Sequence, residues 1–255
     1  MITSVPRLIA ILVAALPAVL LSGPTGASDR MSFMPLDPDS FDDSRNGVVR
    51  LMCVDGGNGH SYLSRAVLLD VTGTEDSHDV LLTARHGVIG TAGPRECRVY
   101  GQDVETGRIA DMVIAPQDPL EDNEFGEDWA ILRTAGRLPD DIARLQAAGA
   151  GSGDQGRLTM VNRVTDNRAC HVEDLADWED ARLIVHDCPA RPGLSGSPMV
   201  TLIKGVPHVV GLHVGQYIIL QDDGRRLGVA RRLSDDFLDT LVAYIEPDSA
   251  SSAVP

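Results

Sequence analysis

Short apolar runs broken by turn residues fill the chain from about residue 48 onward. In the first half they cover 48–54, 66–71, 80–83, 98–104, 109–115 and 129–132. In the second half they cover 157–164, 183–186, 199–203, 208–213, 217–220 and 227–230. Such runs, with turn residues between them, have the pattern of short strands, and their near-regular spacing predicts an all-β sandwich or barrel. Between the two sets, 133–156 carries Gly136, Gly149, Gly151, Gly153 and Gly156 around a short helix predicted over 139–148. It reads as a connection between two β modules. A clearer helix follows Ser234. Ser234 can cap it, Asp235 and Asp236 suit its positive end, and Phe237, Leu238, Leu241, Val242 and Ile245 form an apolar stripe that stops at Pro247.

The N-terminus follows another pattern. Arg7 precedes an apolar run from Leu8 to Leu21, and then come Ser22, Gly23, Pro24, Thr25, Gly26 and Ala27. A basic start, a short apolar segment and small residues describe a secretory signal peptide, expected to be cut after Ala27. The run is shorter than the roughly 20 residues of a spanning helix. Residues 28–46 are rich in Asp, Ser and Pro and read as a loose lead-in. The expected division is therefore signal peptide (1–27), tail or short pro-segment (28–46), first β module (47–135), linker (136–156), second β module with the terminal helix (157–246) and tail (247–255).

Composition narrows the function classes. The 255-residue chain is 43% hydrophobic and only 4% aromatic, so its core relies on Val, Leu, Ile and Ala. Its formal net charge is −15, and loss of Arg7 with the signal makes the mature value −16. An acidic surface argues against nucleic acid or anionic lipid as partner. With the signal removed, no further segment is long and apolar enough to suggest a membrane partner. The expected location is secreted or periplasmic. Four cysteines in an exported chain suggest two disulfides, for which three pairings exist. Cys53–Cys97 with Cys170–Cys188 is the favoured set, because each bridge then stays within one half. No Cys-x-x-Cys or His-x-x-x-His spacing supports a metal site, and no Gly-rich phosphate loop or flavin motif is present, so neither metal nor cofactor is expected. The acidic run from Glu121 to Asp128 reads as a solvated loop rather than a calcium site.

Three segments carry chemistry together. Leu81-Leu82-Thr83-Ala84-Arg85-His86 is an apolar strand that ends by presenting a histidine, the side chain suited to accept and return a proton near neutral pH. Glu127-Asp128-Trp129-Ala130-Ile131-Leu132 puts an aspartate at the start of an apolar strand. Pro192-Gly193-Leu194-Ser195-Gly196-Ser197-Pro198 sets a serine among glycines in a tight turn. Serine needs a base to become a nucleophile, and the base needs a partner that fixes its tautomer. The turn can also aim the Gly193 and Ser195 N–H groups at an oxyanion.

These segments resemble the trypsin-like (chymotrypsin-fold) serine peptidases. Thr83-Ala84-Arg85-His86 matches the family's Thr-Ala-x-His, Asp128-Trp129-Ala130-Ile131-Leu132 its Asp-x-Ala-x-Leu, and Gly193-Leu194-Ser195-Gly196-Ser197-Pro198 its Gly-x-Ser-Gly-x-Pro. The order His, Asp, Ser is that family's and differs from the orders of subtilisins and α/β-hydrolases. Val210-Gly211-Leu212-His213-Val214-Gly215 is similar to its substrate-binding strand. The resemblance implies two packed six-stranded antiparallel β-barrels with a C-terminal helix. It implies His86, Asp128 and Ser195 as a triad, Gly193 and Ser195 as oxyanion donors, and a substrate pocket with Ala190, Arg191, His213, Val214 and Gly215. Its substrates would be proteins or peptides, cut through an acyl-enzyme. The alternative on the same fold is a silent or latent protein that binds peptides without cutting; an intact triad argues against it.

Two departures refine the resemblance. Many members carry an Asp just before the nucleophile, which switches the zymogen on; here that place is Leu194, as in bacterial members similar to glutamyl endopeptidases. Gly211-Leu212-His213 matches the segment with which Glu-specific members read an acidic side chain. Their threonine a few residues before the nucleophile is missing from Pro189-Ala190-Arg191-Pro192, so His213 is expected to be a structural histidine lining the pocket. Arg191 could stand as a guanidinium at the pocket mouth.

Overall fold

The computed structural model describes residues 42–71, 77–115, 125–149, 158–162, 170, 172, 181–219 and 225–245. The expected signal peptide, most of the lead-in, Glu121 to Glu124 and the C-terminal tail lie outside them. The part of the lead-in that is described forms a helical turn, α1 (Asp42–Asn46), with Ser44 buried.

The first half folds into strands near the predicted runs, but two of them start five residues earlier, at 61 and 104, and a small hairpin over 89–94 was not predicted. They are β1 (Val48–Val54), β2 (Ser61–Leu69), β3 (Val80–Thr83), the small hairpin β4 (Ile89–Gly90) and β5 (Gly93–Pro94), β6 (Glu96–Gly101), β7 (Val104–Ile114) and β8 (Ala130–Thr134). A short helix, α2 (Arg85–Val88), interrupts them after β3, and a 3-10 turn (Phe125–Glu127) precedes β8. Six strands close a barrel in the order β1-β2-β3-β8-β7-β6. Its interior holds Val49, Leu51, Cys53, Ala66, Leu68, Leu81, Val99, Ala130 and Leu132.

The second half supplies β9 (Gln146–Ala147), β10 (Thr159–Met160), β11 (Leu183–His186), β12 (Pro198–Ile203), β13 (Val206–Ile219) and β14 (Arg225–Arg232), then α3 (Asp235–Ile245). Their sheet runs β10-β12-β13-β14-β11, with β9 parallel to β13. Its two edges are tied by single bridges, Leu158 to Cys170 and Val172 to His186. The runs 208–213 and 217–220 are not two strands. They share β13, which continues through a bulge between His213 and Gly215.

Two strands of the barrel explain an oddity of the sequence. Val80-Leu81-Leu82 and Ala130-Ile131-Leu132 are continuously apolar, where a half-buried strand would alternate. Leu81, Ala130 and Leu132 fill the barrel, whereas Val80, Leu82 and Ile131 point the other way, into a core shared with Val200, Val209, Leu212 and Val229 of the second sheet. Both faces are buried because this is where the two halves meet. Full burial of one such side chain is worth about 1.5–3 kcal/mol. These same strands lead into His86 and out of Asp128. Helix α3 closes the shared core with Phe237 and Leu241, and Phe237 meets Trp129 edge to face at 4.9 Å.

The helix predicted over 139–148 does not form. Residues 139–142 make a turn, and 145–147 run extended. Leu145 exchanges backbone hydrogen bonds with Leu68 and Asp70 of the first half, and Ala148 donates to Val209 of the second. Tertiary pairing on both sides outweighs weak helix propensity. A buried carboxylate fixes the path: Asp79 accepts the Leu138 N–H at 2.6 Å and two Arg144 guanidinium bonds at 3.0 and 3.1 Å. Asp79→Ala would strand the Arg144 charge, and we expect it to cost about 3–5 kcal/mol in urea unfolding. A loss under about 1 kcal/mol would contradict this role.

Both disulfides pair in the favoured way. Cys53–Cys97 joins β1 to β6, and Cys170–Cys188 ties the bridged edge of the second sheet to the segment before Ser195.

Candidate active site

Helix α2 begins immediately after β3 and presents His86. Its neighbour across the site, Asp128, follows the 3-10 turn and leads into β8, which pairs with β3. Asp128 holds the histidine twice. Its Oδ1 accepts the His86 backbone N–H at 2.8 Å, and its Oδ2 lies 2.6 Å from Nδ1. A carboxylate only accepts, so the proton sits on Nδ1 and Nε2 is left with its lone pair. The imidazole is half exposed while the carboxylate is mostly covered. Glu127, a sequence neighbour that competes for the same role, points elsewhere: its Oε1 takes the Arg182 guanidinium at 2.5 Å.

Ser195 lies in the turn between Arg191 and β12. Leu194 N–H donates to the Arg191 carbonyl and Ser197 N–H to the Leu194 carbonyl. The turn is then fixed from both halves of the molecule. Arg65 of β2 donates its N–H to the Ser195 carbonyl at 2.8 Å. On the other side, Gly196 N–H donates to the His213 carbonyl at 2.7 Å, and His213 N–H to the Ser197 carbonyl at 2.8 Å. Gly193 and Gly196 both adopt left-handed conformations, with φ of 88° and 87°. Among the described residues, neither the Gly193 nor the Ser195 N–H donates to a backbone acceptor. Leu194 is buried with Met160, Ile184, Met199 and Ala230, so apolar packing holds the place where an activating ion pair would otherwise sit.

A scan against protein-family models finds no match, and no curated protein matches either. Solved structures do. One is a Glu endopeptidase in complex with MPD, at 16% identity and a TM-score of 0.55, covering 79% of this chain and 91% of that one. Another is the thermostable serine protease AL20 from an extremophilic microorganism, at 12% identity and a TM-score of 0.58, covering 81% of this chain and 99% of that one. The chain has the trypsin-like serine peptidase fold.

The Ala190 carbonyl accepts the Gln216 side-chain amide at 2.7 Å, linking the segment before Ser195 to β13. Arg191 is exposed. Val214 turns its side chain into the shared core. His213 is buried and belongs to a chain of hydrogen bonds that the sequence did not reveal. Cys188 N–H donates to His186 Nδ1 at 3.2 Å, and His186 Nε2 lies 3.2 Å from His213 Nδ1. Because His186 Nδ1 accepts there, the neutral His186 carries its proton on Nε2 and donates it to His213 Nδ1. His186 packs so tightly beneath Gly228 that a Cβ there would lie 2.1 Å from its ring.

Burial pushes His186 down to about 3, helped by the adjacent His213. Burial pushes His213 down to about 4, and the neighbouring His86 adds to this. The unfolded chain protonates both near 6.5, so it binds more protons than the folded chain between that pH and about 4. Stability is therefore fully present above 6.5 and is lost as pH falls. Between pH 6 and 5, where carboxylates contribute little, the slope should approach two protons, about 2.7 kcal/mol per pH unit. Urea unfolding at several pH values measures it, and a flat profile across that window would contradict the neutral pair.

Proposed function

We propose that this chain is an exported serine endopeptidase. The observation that carries the reading is the double hold of Asp128 on His86, which leaves Nε2 as a base, together with a serine turn whose Gly193 and Ser195 amides have no backbone acceptor among the described residues. In this mechanism Ser195 Oγ attacks the scissile carbonyl and gives its proton to His86 Nε2. Asp128 keeps the tautomer and stabilises the imidazolium. Gly193 and Ser195 N–H groups receive the oxyanion. His86 then protonates the leaving amine, and water hydrolyses the acyl-enzyme by the same steps in reverse order. No zymogen switch of the ion-pair kind operates, because Leu194 is apolar and already buried.

The primary pocket is bounded by Ala190, Arg191, His213, Val214 and Gly215. His213 is buried and its Nδ1 is engaged by His186, so His213 shapes the wall of that pocket. Two disulfides and the N-terminal apolar segment fit a secreted or periplasmic protein. The test is digestion of an unfolded protein substrate by the mature chain, with cleavage sites mapped by mass spectrometry. Cleavage by the wild type and none by Ser195→Ala supports the reading. Equal cleavage by both would assign the activity to a contaminant and overturn it.

A further inference from the structure

We propose that Arg95 is the positioning residue of His86, holding the base at its carbonyl while Asp128 holds its N–H and ring. Helix α2 is a single turn. Ile89 N–H satisfies the Arg85 carbonyl, but the His86 carbonyl has no helical partner one turn further on. Arg95 supplies it. The β4–β5 hairpin brings the chain back, Arg95 N–H donates to the Val88 carbonyl at 2.8 Å, and Arg95 Nη1 donates to the His86 carbonyl at 2.7 Å. Residue 86 is then held at its N–H and ring by Asp128 and at its carbonyl by Arg95. The one polar atom left for chemistry is Nε2.

The guanidinium is built in, since the Arg95 side chain is only 7% exposed. Its charge is met by Asp55, itself 2% exposed, whose Oδ2 lies 3.7 Å from Nε. The Tyr62 ring covers it at 3.5 Å. Asp55 Oδ1 in turn accepts the Gly57 N–H at 2.8 Å. Gly90 makes room for the pair, because a Cβ there would lie 2.1 Å from Asp55 Oδ2 and 3.1 Å from Arg95 Nε. Burying two charges is costly, and a pair this well enclosed is a poor way to add stability. What it supplies is a rigid donor aimed at one carbonyl, the carbonyl of the base. Arg98, three residues on, pairs at the surface with Glu105 and serves no such purpose.

This inference rests on the peptidase reading, and its test separates the two. Arg95→Met alone would leave Asp55 charged and unpaired. The variant to make is Arg95→Met with Asp55→Asn, because Asn keeps the acceptor for Gly57 N–H. Two quantities are read on the folded mature protein: the far-downfield proton resonance of His86 Nδ1–H, and the rate of covalent labelling of Ser195 by a fluorophosphonate. The double variant is expected to lose or broaden the resonance and to label about 100-fold more slowly, the cost of a misplaced catalytic group. Arg95→Lys, which keeps the charge and one donor, is expected to recover the resonance and about 10-fold of that rate. Wild-type resonance and labelling in the folded double variant would overturn the proposal. So would a rate that falls only with the folded fraction while the resonance persists. If the wild type itself does not label, the peptidase reading fails, and the resonance alone decides the role of Arg95.

Discussion

Asp128→Asn is expected to lower turnover by about four orders of magnitude while leaving the fold intact. The carboxylate accepts at both oxygens, from His86 N–H at 2.8 Å and from Nδ1–H at 2.6 Å. An amide can accept at only one. If its oxygen keeps the backbone N–H, its NH2 faces Nδ1, which must then become the acceptor. The ring proton moves to Nε2, and the base that Ser195 needs is gone. The imidazolium formed during attack also loses its counter-charge. Because the amide nearly matches the carboxylate in size, thermal unfolding should shift little. The measurement is kcat at neutral pH beside a melting curve. A drop of less than about 10-fold would mean that another group orients His86.

Gly196→Ala is expected to abolish activity through the backbone rather than the chemistry. A Cβ at 196 would lie 1.9 Å from the Arg65 carbonyl oxygen and 2.6 Å from Thr83 Oγ1. Neither neighbour is free to retreat. Thr83 Oγ1 donates to that same carbonyl at 2.6 Å, and Arg65 N–H holds the Ser195 carbonyl. The φ of 87° is also disfavoured for any residue with a Cβ. The turn must therefore leave β2, which carries Ser195 away from His86 and misaims the two amides. We expect turnover to fall at least about 100-fold, and stability by about 2 kcal/mol or more. Denaturant unfolding and a peptide assay on the same sample check both. An alanine variant with wild-type activity would show that the close approach of the two halves is not what sets the nucleophile.

Local pattern made much of this legible. β1, β3 and β11 fall where their apolar runs place them, and the terminal helix buries Phe237 and Leu241 of its stripe while Val242 stays exposed. The pairing of His86 with Asp128 was readable because each sits in a short motif whose strand or turn is local. Where pairing across the molecule decides, sequence pattern fails. Ile142, Ala143 and Leu145 look helical, yet Leu145 is bound to Leu68 and Asp70 in a strand-like path. Gly215 and Gln216 look like a break, yet a bulge carries β13 past them. The burial of Arg95, Asp55 and His186 is not marked by their own residue types, because charged and imidazole side chains are usually exposed. One trace of Asp55 and Arg95 was present in the sequence, a glycine at 90, but its meaning needs the distance to both.

Fluorophosphonate labelling of the mature protein is the most direct measurement. The wild type is expected to take up one probe, mapped by mass spectrometry to Ser195, and both Ser195→Ala and His86→Ala are expected to take up none. A folded wild type that stays unlabelled would contradict an activated serine, and would leave a peptide-binding protein built on the trypsin-like fold.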